Sequence, residues 1–341
     1  MQDRIAEGSA LLVHVTRGQV VESVHRGIAA IVAADGSLVA GWGDVDRPIL
    51  PRSANKAIQA LPLVESGAAD AFGLEDADIA LACASHSGEA QHTERVTAWL
   101  GRMDLPQGAL ECGSHLPMHE PTAHAMIRAG EAPCPIHNNC SGKHCGLLSH
   151  ARLLGDALPG YVDYNHPVQQ RLRRAHEVVA RVDLSGAPWG IDGCSIPTVA
   201  MPLRALAFAM AQFADPSRLP SATAEAAARI ARAWRAHPEM VGGTNRFETV
   251  VMRHVGGRAL LKPGAEAVHV AVLPGRGLGV ALKIDDGNSR ASEVAMAAIL
   301  RRLEVLDEMG WRAIGSWTEA PLVNRNGIVT GHVKAAPELI P

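Results

Sequence analysis

The sequence has 341 residues, of which 47% are hydrophobic and 20% charged, with 32 Lys+Arg against 35 Asp+Glu. That length suits about two domains or one large one and buries about 75% of the extended chain's surface, so folding alone needs neither a disulfide nor a metal. The composition excludes a disordered chain, and a net charge of −3 leaves no basic surplus for binding nucleic acid or an anionic membrane.

Apolar runs such as Ile28–Ala34 and Ala205–Ala211 fall far short of the ~20 residues of a membrane span. The opening Met1-Gln2-Asp3-Arg4 lacks the basic and apolar regions of a secretory signal. With no export signal read, a reducing compartment is expected for the protein. Its cysteines (Cys83, Cys112, Cys134, Cys140, Cys145 and Cys194) should be reduced and available as ligands or nucleophiles. Five of the 32 cations are lysine (Lys56, Lys143, Lys262, Lys283 and Lys334) and the rest are arginine. Arginine stays protonated at any workable pH, whereas a buried lysine can lose its proton. A lysine retained here is a candidate for a site that needs an amine.

In chain order, Leu11–Thr16, Val20–His25, Gly27–Ala33 and Ser37–Trp42 read as strands, with a hairpin turn at Ala34-Asp35-Gly36. The period then changes, and Ser53 to Leu61 reads as a helix bent or ended by Pro62. Helices follow over Gln91–Met103, Thr122–Ala129, Lys143–Leu154, Val168–Val182, Leu203–Phe213, Ala224–Arg235 and Arg246–Arg253. Strands return at Arg258–Lys262, Val268–Leu273 and Gly279–Ile284. A helix then runs from a cap at Ser289 through Leu306 towards a stop at Gly310, and the tail beyond carries no clear pattern. The simplest packing joins both strand groups in one antiparallel sheet lobe, residues 1–52 and 256–341, covered by the last helix. The mainly helical residues 53–255 form a second lobe, and a cleft between lobes is the default site.

Two constellations carry chemistry. In Ser53-Ala54-Asn55-Lys56 a hydroxyl and an amine stand three residues apart, on one helical face. A neutral lysine there can take the serine's proton; the alternative is a helix-capping serine followed by a surface lysine. This S-x-x-K element occurs in serine β-lactamases with two partner motifs, S-D-N and K-T-G. Ser85-His86-Ser87-Gly88-Glu89 and Lys262-Pro263-Gly264 stand where those partners would lie. The second constellation is His137-Asn138-Asn139-Cys140-Ser141-Gly142-Lys143-His144-Cys145-Gly146. Cys140 and Lys143 could ligate one ion and Cys194 could complete the set, since catalytic zinc takes thiolate and nitrogen ligands with one position open. Buried free cysteines beside a loop remain the alternative. Cys112, His115 and His119 read as structural or site-lining.

Taken together, His137 to Gly146, Tyr161 with His166-Pro167-Val168-Gln169, Ile191-Asp192-Gly193-Cys194, Lys262-Pro263-Gly264-Ala265-Glu266, Arg52 to Lys56 and Ser85 to Glu89 resemble the rhizobial-type (class 3) L-asparaginases of the asparaginase II family. The similarity runs from about Leu12 to Glu304. It implies an α+β fold of the serine β-lactamase and penicillin-binding-protein type. It implies hydrolysis of L-asparagine to L-aspartate and ammonia. It implies catalytic pairs Ser53 with Lys56 and Ser85 with Lys262. It also implies one zinc per chain on Cys140, Lys143 and Cys194 with water at the open position, and a cytoplasmic homodimer. Arg52, His144 and Asp192 would face the substrate or support the metal ligands. The sequence departs from the family at Ser195, where glycine is expected, and over Thr244-Asn245-Arg246-Phe247-Glu248. A serine hydrolase acting on another amide, a Cys140 thiol amidase and an amino-acid-binding protein are the competing readings.

Overall fold

The structure is a computed structural model that describes residues 8–340; the opening Met1-Gln2-Asp3-Arg4, read above for an export signal, lies outside them. The chain forms two compact units. One holds the described residues of Met1–Ala54, Met201–Asp215 and Val250–Pro341; the other holds Asn55–Ala200 and Pro216–Thr249. Among the described residues no helix is long and apolar enough to cross a membrane.

The first unit is built on one eight-stranded antiparallel sheet from both ends of the chain. Its strands are β1 (Ala10–Arg17), β2 (Val20–Ala33), β3 (Leu38–Trp42), β4 (Leu260–Gly264), β5 (Val268–Leu273), β6 (Leu278–Ile284), β7 (Glu319–Val323) and β8 (Val329–Ala335). They lie in the order β7-β8-β1-β2-β6-β5-β4, with β3 also paired to β2. This is the expected α+β arrangement, a sheet from the N- and C-terminal strands with helices between them in sequence. Asp35 makes the β2–β3 turn by accepting from the backbone and hydroxyl of Ser37. Every residue of β5 is buried, so both faces of the sheet are covered at its centre.

Two expectations change. Val20–His25 and Gly27–Ala33 are one 14-residue strand, not two. Gly27 does not break it: a Cβ there would lie 2.2 Å from the Lys283 carbonyl oxygen on β6. The close approach of two backbones selects glycine at this position. The C-terminal tail, unread from sequence, is the β7–β8 hairpin, and Val13↔Ala335 to Val15↔Val333 pair it to β1.

The helix Leu203–Ala214 was expected with the central helices but belongs to the sheet unit. It packs so closely on β6 that a Cβ at Gly279 would stand 2.1 Å from the Ala207 carbonyl oxygen and 2.3 Å from the Ala211 nitrogen. Gln212 Nε2 also donates to the Ala34 carbonyl at 3.0 Å. The last helix runs Ser289–Arg302 and ends before Leu306, with Asn288 rather than Ser289 as its capping residue. Gly310 lies inside a separate short helix, Glu308–Ala313.

In the second unit the helix Ser141–Leu154 is buried from Ser141 to Ala151. It lies against Asp76–Ala82, where a Cβ at Gly142 would come within 2.4 Å of the Leu81 carbonyl oxygen. Trp99 Nε1 donates to Ser149 Oγ at 2.9 Å. The fully buried Asp78 carboxylate accepts from Arg95 at 2.9 Å and pairs with Arg102 at 2.8 Å. A buried charge held in this way is costly to unpair, so it ties together the 76–82 and 90–102 helices, against which Gly142 and Ser149 of the 141–154 helix pack. In the sheet unit, Gly279→Ala should lower stability by about 1–3 kcal/mol through overpacking, read as a lower urea midpoint with an unchanged slope.

Candidate active site

Ser53 sits in a 3-10 turn, Arg52–Asn55, which runs into the short helix Lys56–Gln59. Arg52 adopts φ 50°, a left-handed conformation that costs a non-glycine residue about 1–2 kcal/mol and that concentrates at functional sites. The Ser53 side of the turn lies against the Lys262-Pro263-Gly264 segment. A Cβ on Gly264 would stand 2.9 Å from the Ala54 nitrogen and 3.0 Å from the Pro51 carbonyl oxygen, which explains the glycine there. The expected Lys262-Pro263-Gly264 partner motif and the serine turn are thus neighbours within the sheet unit. Lys262 is 1% exposed, and its ammonium donates to the Pro263 carbonyl at 2.7 Å.

Lys56 belongs to the other unit and is also 1% exposed. Its Nζ donates to Ser85 Oγ at 3.0 Å, to Cys140 Sγ at 3.0 Å and to the Ala84 carbonyl. The hydroxyl that the Lys56 amine reaches is therefore Ser85, whereas sequence spacing pairs it with Ser53. The turn is anchored from behind: His176 Nδ1 donates to the Leu172 carbonyl, which leaves Nε2 to accept from Asn55 Nδ2 at 2.8 Å.

Ser85 is held by its backbone on both sides. Its N–H donates to the Val241 carbonyl and the next N–H, of His86, to the Asn139 carbonyl. The His86 ring accepts from the Gly88 N–H and donates from Nε2 to Ser141 Oγ at 2.8 Å. It also stacks on His92 with centroids 4.9 Å apart. Burial holds His86 well below the ordinary imidazole range, with the positive sides of its neighbours adding to the effect. His115, read as structural, accepts the Asn139 N–H on Nε2 at 3.0 Å, and Asn138 donates to the Cys112 carbonyl at 2.8 Å. These residues brace the loop before Cys140.

Cys140 precedes the 141–154 helix, and Lys143 lies one turn on. Cys194 comes from the tip of a hairpin whose strands are Trp189–Ile191 and Pro197–Val199. Lys143 Nζ donates to Cys194 Sγ at 2.8 Å. The hydrogen bond from Cys194 holds the Cys140 thiol far below its ordinary value despite burial, with Lys56 and Lys143 helping. Cys194 moves upward, first through that same bond and then through burial. Burial works against the charge of Lys143, but the sulfurs of Cys194 and Cys140 outweigh it and raise its pKa. Burial pushes Cys112 up to about 12 and Cys145 well above its ordinary value, so these two are inert thiols. His144, lowered chiefly by burial, stands 2.5 Å from the Tyr161 hydroxyl through Nδ1.

Among the described residues no group of three or more His, Cys, Asp or Glu side chains is arranged around one point. The site offers two sulfurs and an amine instead. One sulfur favours the thiolate, and all three residues are buried. Two thiolates and the Lys143 amine, once that amine has given up the proton it donates to Cys194, would make a sulfur-and-nitrogen donor set of the kind zinc takes.

Sequence reading missed three contributors. Tyr161 was noticed only as part of a pattern, yet its hydroxyl links His144 to the Glu111 N–H. Asn139 accepts from the Cys140 thiol and, through its carbonyl, from the His86 N–H. The Glu89 carboxylate accepts from Thr244 across the chain. Each of the three makes a contact remote in sequence that no local pattern announces.

The departure at Ser195 has a geometric cost. Its φ is 75°, the region where glycine is free of strain, and its N–H closes the turn onto the Asp192 carbonyl at 2.9 Å. Ser195→Gly should therefore stabilise the protein by roughly 0.5–1 kcal/mol, measured by urea unfolding. An unchanged or lower midpoint would contradict the strain argument.

A profile of the L-asparaginase II family matches residues 13–335. No curated protein matches the sequence. Among solved structures, a β-lactamase (Mb2281c) from Mycobacterium bovis is 12% identical, over 81% of this chain and 94% of that one, with a TM-score of 0.44. The D-alanine carboxypeptidase AmpC from Burkholderia cenocepacia is 12% identical over 85% and 93%, with a TM-score of 0.40. The native form of Mglu is 15% identical over 83% of this chain and 65% of its own, with a TM-score of 0.37. These likenesses are distant, and the match that identifies the chain is the one that runs almost from end to end: it belongs to the L-asparaginase II family.

Proposed function

We propose that the protein hydrolyses the side-chain amide of L-asparagine, giving L-aspartate and ammonia, through a serine–lysine system beside a zinc site. The observation that carries this reading is the buried Lys56 amine, 3.0 Å from Ser85 Oγ and 3.0 Å from Cys140 Sγ. It joins the hydroxyl chemistry to the thiol–amine cluster at one point.

Ser53 is the nucleophile in this proposal. Its side of the turn is half-exposed, whereas Ser85 is buried, and an attacking hydroxyl must meet the substrate. Ser53 Oγ adds to the amide carbon as its proton passes to the Lys56–Ser85 relay. The relay returns a proton to the departing nitrogen, which leaves as ammonia. Water then cleaves the acyl ester, and the proton it loses restores the serine. Lys262 holds or relays protons from the sheet unit. Arg52, His144 and Asp192 bind the α-carboxylate and α-amino ends of the substrate or support the ligands. Cys140, Lys143 and Cys194 would hold zinc, which supplies positive charge that orients those ends. A homodimer in the cytoplasm completes the proposal and rests on the family alone.

The Lys56–Ser85 bond favours one further reading, in which Ser85 attacks and Ser53 assists. Ser53→Ala and Ser85→Ala, compared by single-turnover ammonia release from asparagine, separate the two. The proposal expects Ser53→Ala to lose acyl-enzyme formation altogether and to fall by at least about 10³-fold in kcat, the scale seen when a covalent nucleophile is removed. A Ser53→Ala enzyme that still forms the acyl intermediate would exchange the roles. Chelation should release about one zinc per chain by metal analysis and raise KM more than it lowers kcat. Protein isolated without bound zinc, and unaffected by added zinc, would remove the metal from the scheme.

A further inference from the structure

We infer that Glu89 is a positioning residue for the Ser85 backbone, acting as an anionic latch on the Val241–Thr244 segment. The inference rests on the asparaginase reading above for the role of Ser85, while the latch itself stands on geometry alone.

Four donors converge on the Glu89 carboxylate. Oε1 accepts from the Thr244 N–H at 2.7 Å and lies 2.8 Å from Ser87 Oγ. Oε2 accepts from Thr244 Oγ1 at 2.6 Å and from Gln91 Nε2 at 3.0 Å. The Ser87 hydroxyl also lies 3.0 Å from the Gly242 carbonyl oxygen, so its single proton is shared between two acceptors. Three residues before Thr244, the Val241 carbonyl accepts the Ser85 N–H at 3.0 Å. A short loop therefore closes on itself: Ser85 is tied to Val241, Ser87 to Gly242, and Glu89 to Thr244.

The fit at this loop leaves no slack. Gly243 has φ 121°, and a Cβ there would stand 1.6 Å from Ser87 Oγ and 2.6 Å from Glu89 Oε1. Asn245 follows with φ 58°. The two left-handed residues flank Thr244; Asn245, which is not glycine, is strained there unless neighbouring contacts hold it, and the Glu89 carboxylate holds the Thr244 between them. Burial works against its charge, but the bonds from Thr244 and Ser87 outweigh that and bring it to about 2. A depressed carboxylate keeps its latch above that value and loses it only as pH falls through it. The latch is therefore closed at any pH at which an amidase would work. Bonds to a charged acceptor are also the stronger kind.

The competing explanation is that Glu89 merely starts the helix Ala90–Arg102, as its N-cap. The two are separated by Glu89→Ala, Glu89→Gln and wild type, compared in ammonia-release kinetics, thermal unfolding and amide hydrogen exchange of residues 84–89. A latch predicts that Glu89→Ala loses at least tenfold in kcat with KM within about threefold, because small misplacements of a reacting group are expensive. It also predicts at least tenfold faster exchange of the Ser85 amide, with the helix Ala90–Arg102 still protected beyond its first turn. Glu89→Gln keeps one oxygen for Thr244 N–H and Ser87 but turns an amide donor toward Gln91, so both readouts should fall between the other two. It also carries the test if the alanine variant does not fold. A folded variant whose Ser85 amide exchanges as in wild type overturns the latch. Faster exchange with unchanged kcat overturns the positioning role. If wild type itself releases no ammonia from asparagine, the asparaginase reading fails and the exchange arm still decides the latch.

Discussion

The site depends on one buried ammonium. Lys56 has a charged group, 1% exposure and three acceptors from two remote segments, the Ala84 carbonyl and Ser85 hydroxyl on one side and the Cys140 sulfur on the other. An unpaired ammonium at that depth would be prohibitively costly. The folded state of the helical unit is therefore strongly biased to bring residues 84–85 and 140 to the Lys56 amine. The thiolate character of Cys140 follows in part from the same amine. The buried charge, the Ser85 hydroxyl and the candidate metal ligand Cys140 thus meet at a single nitrogen, and a change at any one of them acts on the other two.

Around this point the helical unit supplies rigidity of a different kind. The 141–154 helix is placed by contacts that leave no room for a side chain at Gly142 and by Trp99 on Ser149, against two helices that Asp78 and its two arginines tie together. Lys143 and His144 ride on that helix, so their positions are set by packing some distance from the chemistry. Cys194 arrives instead from a hairpin tip strained at Ser195. A ligand set drawn from one rigid helix and one strained turn can close on an ion without moving the helix. Preorganisation of this kind limits the reorganisation that binding or catalysis requires.

Much of the site was legible in the sequence because its chemistry is local. Ser53 with Lys56, Cys140 with Lys143, and Lys262-Pro263-Gly264 are each short patterns whose spacing states a physical relation. The glycine of the last is explained by the Pro51–Ala54 turn against it. The fold was legible where period and turn chemistry agreed, as at Ala34-Asp35-Gly36. It was illegible where a residue's role depends on a partner far along the chain. Gly27 reads as a strand break and is a close crossing with Lys283. The helix 203–214 reads like its neighbours until Gly279 reveals what it packs on. The β7–β8 hairpin is mostly half-exposed, with weak alternation, and β1 supplies the pairing that the tail's own residues do not announce. The pairing of Lys56 with Ser85 is likewise invisible to spacing, since 28 or more residues separate the amine from its acceptors.

The scarcity of lysine has a structural counterpart. Lys56, Lys143 and Lys262 are buried at 1%, 3% and 1% exposure, where a surface cation would gain nothing. Lys283 is part-buried, donates to the Glu266 and Ile284 carbonyls, and has its pKa lowered, chiefly by burial. It fixes the left-handed Glu266 (φ 57°) just beyond Lys262-Pro263-Gly264. Only Lys334, paired with Glu319 at 3.5 Å, serves the surface role that arginine fills elsewhere. A guanidinium at Lys56 could not surrender a proton, and its planar fork could not direct donors to a carbonyl, a hydroxyl and a sulfur placed around one nitrogen. The proposed chemistry asks of Lys56, Lys143 and Lys262 a compact cation whose proton can move, which a guanidinium is not.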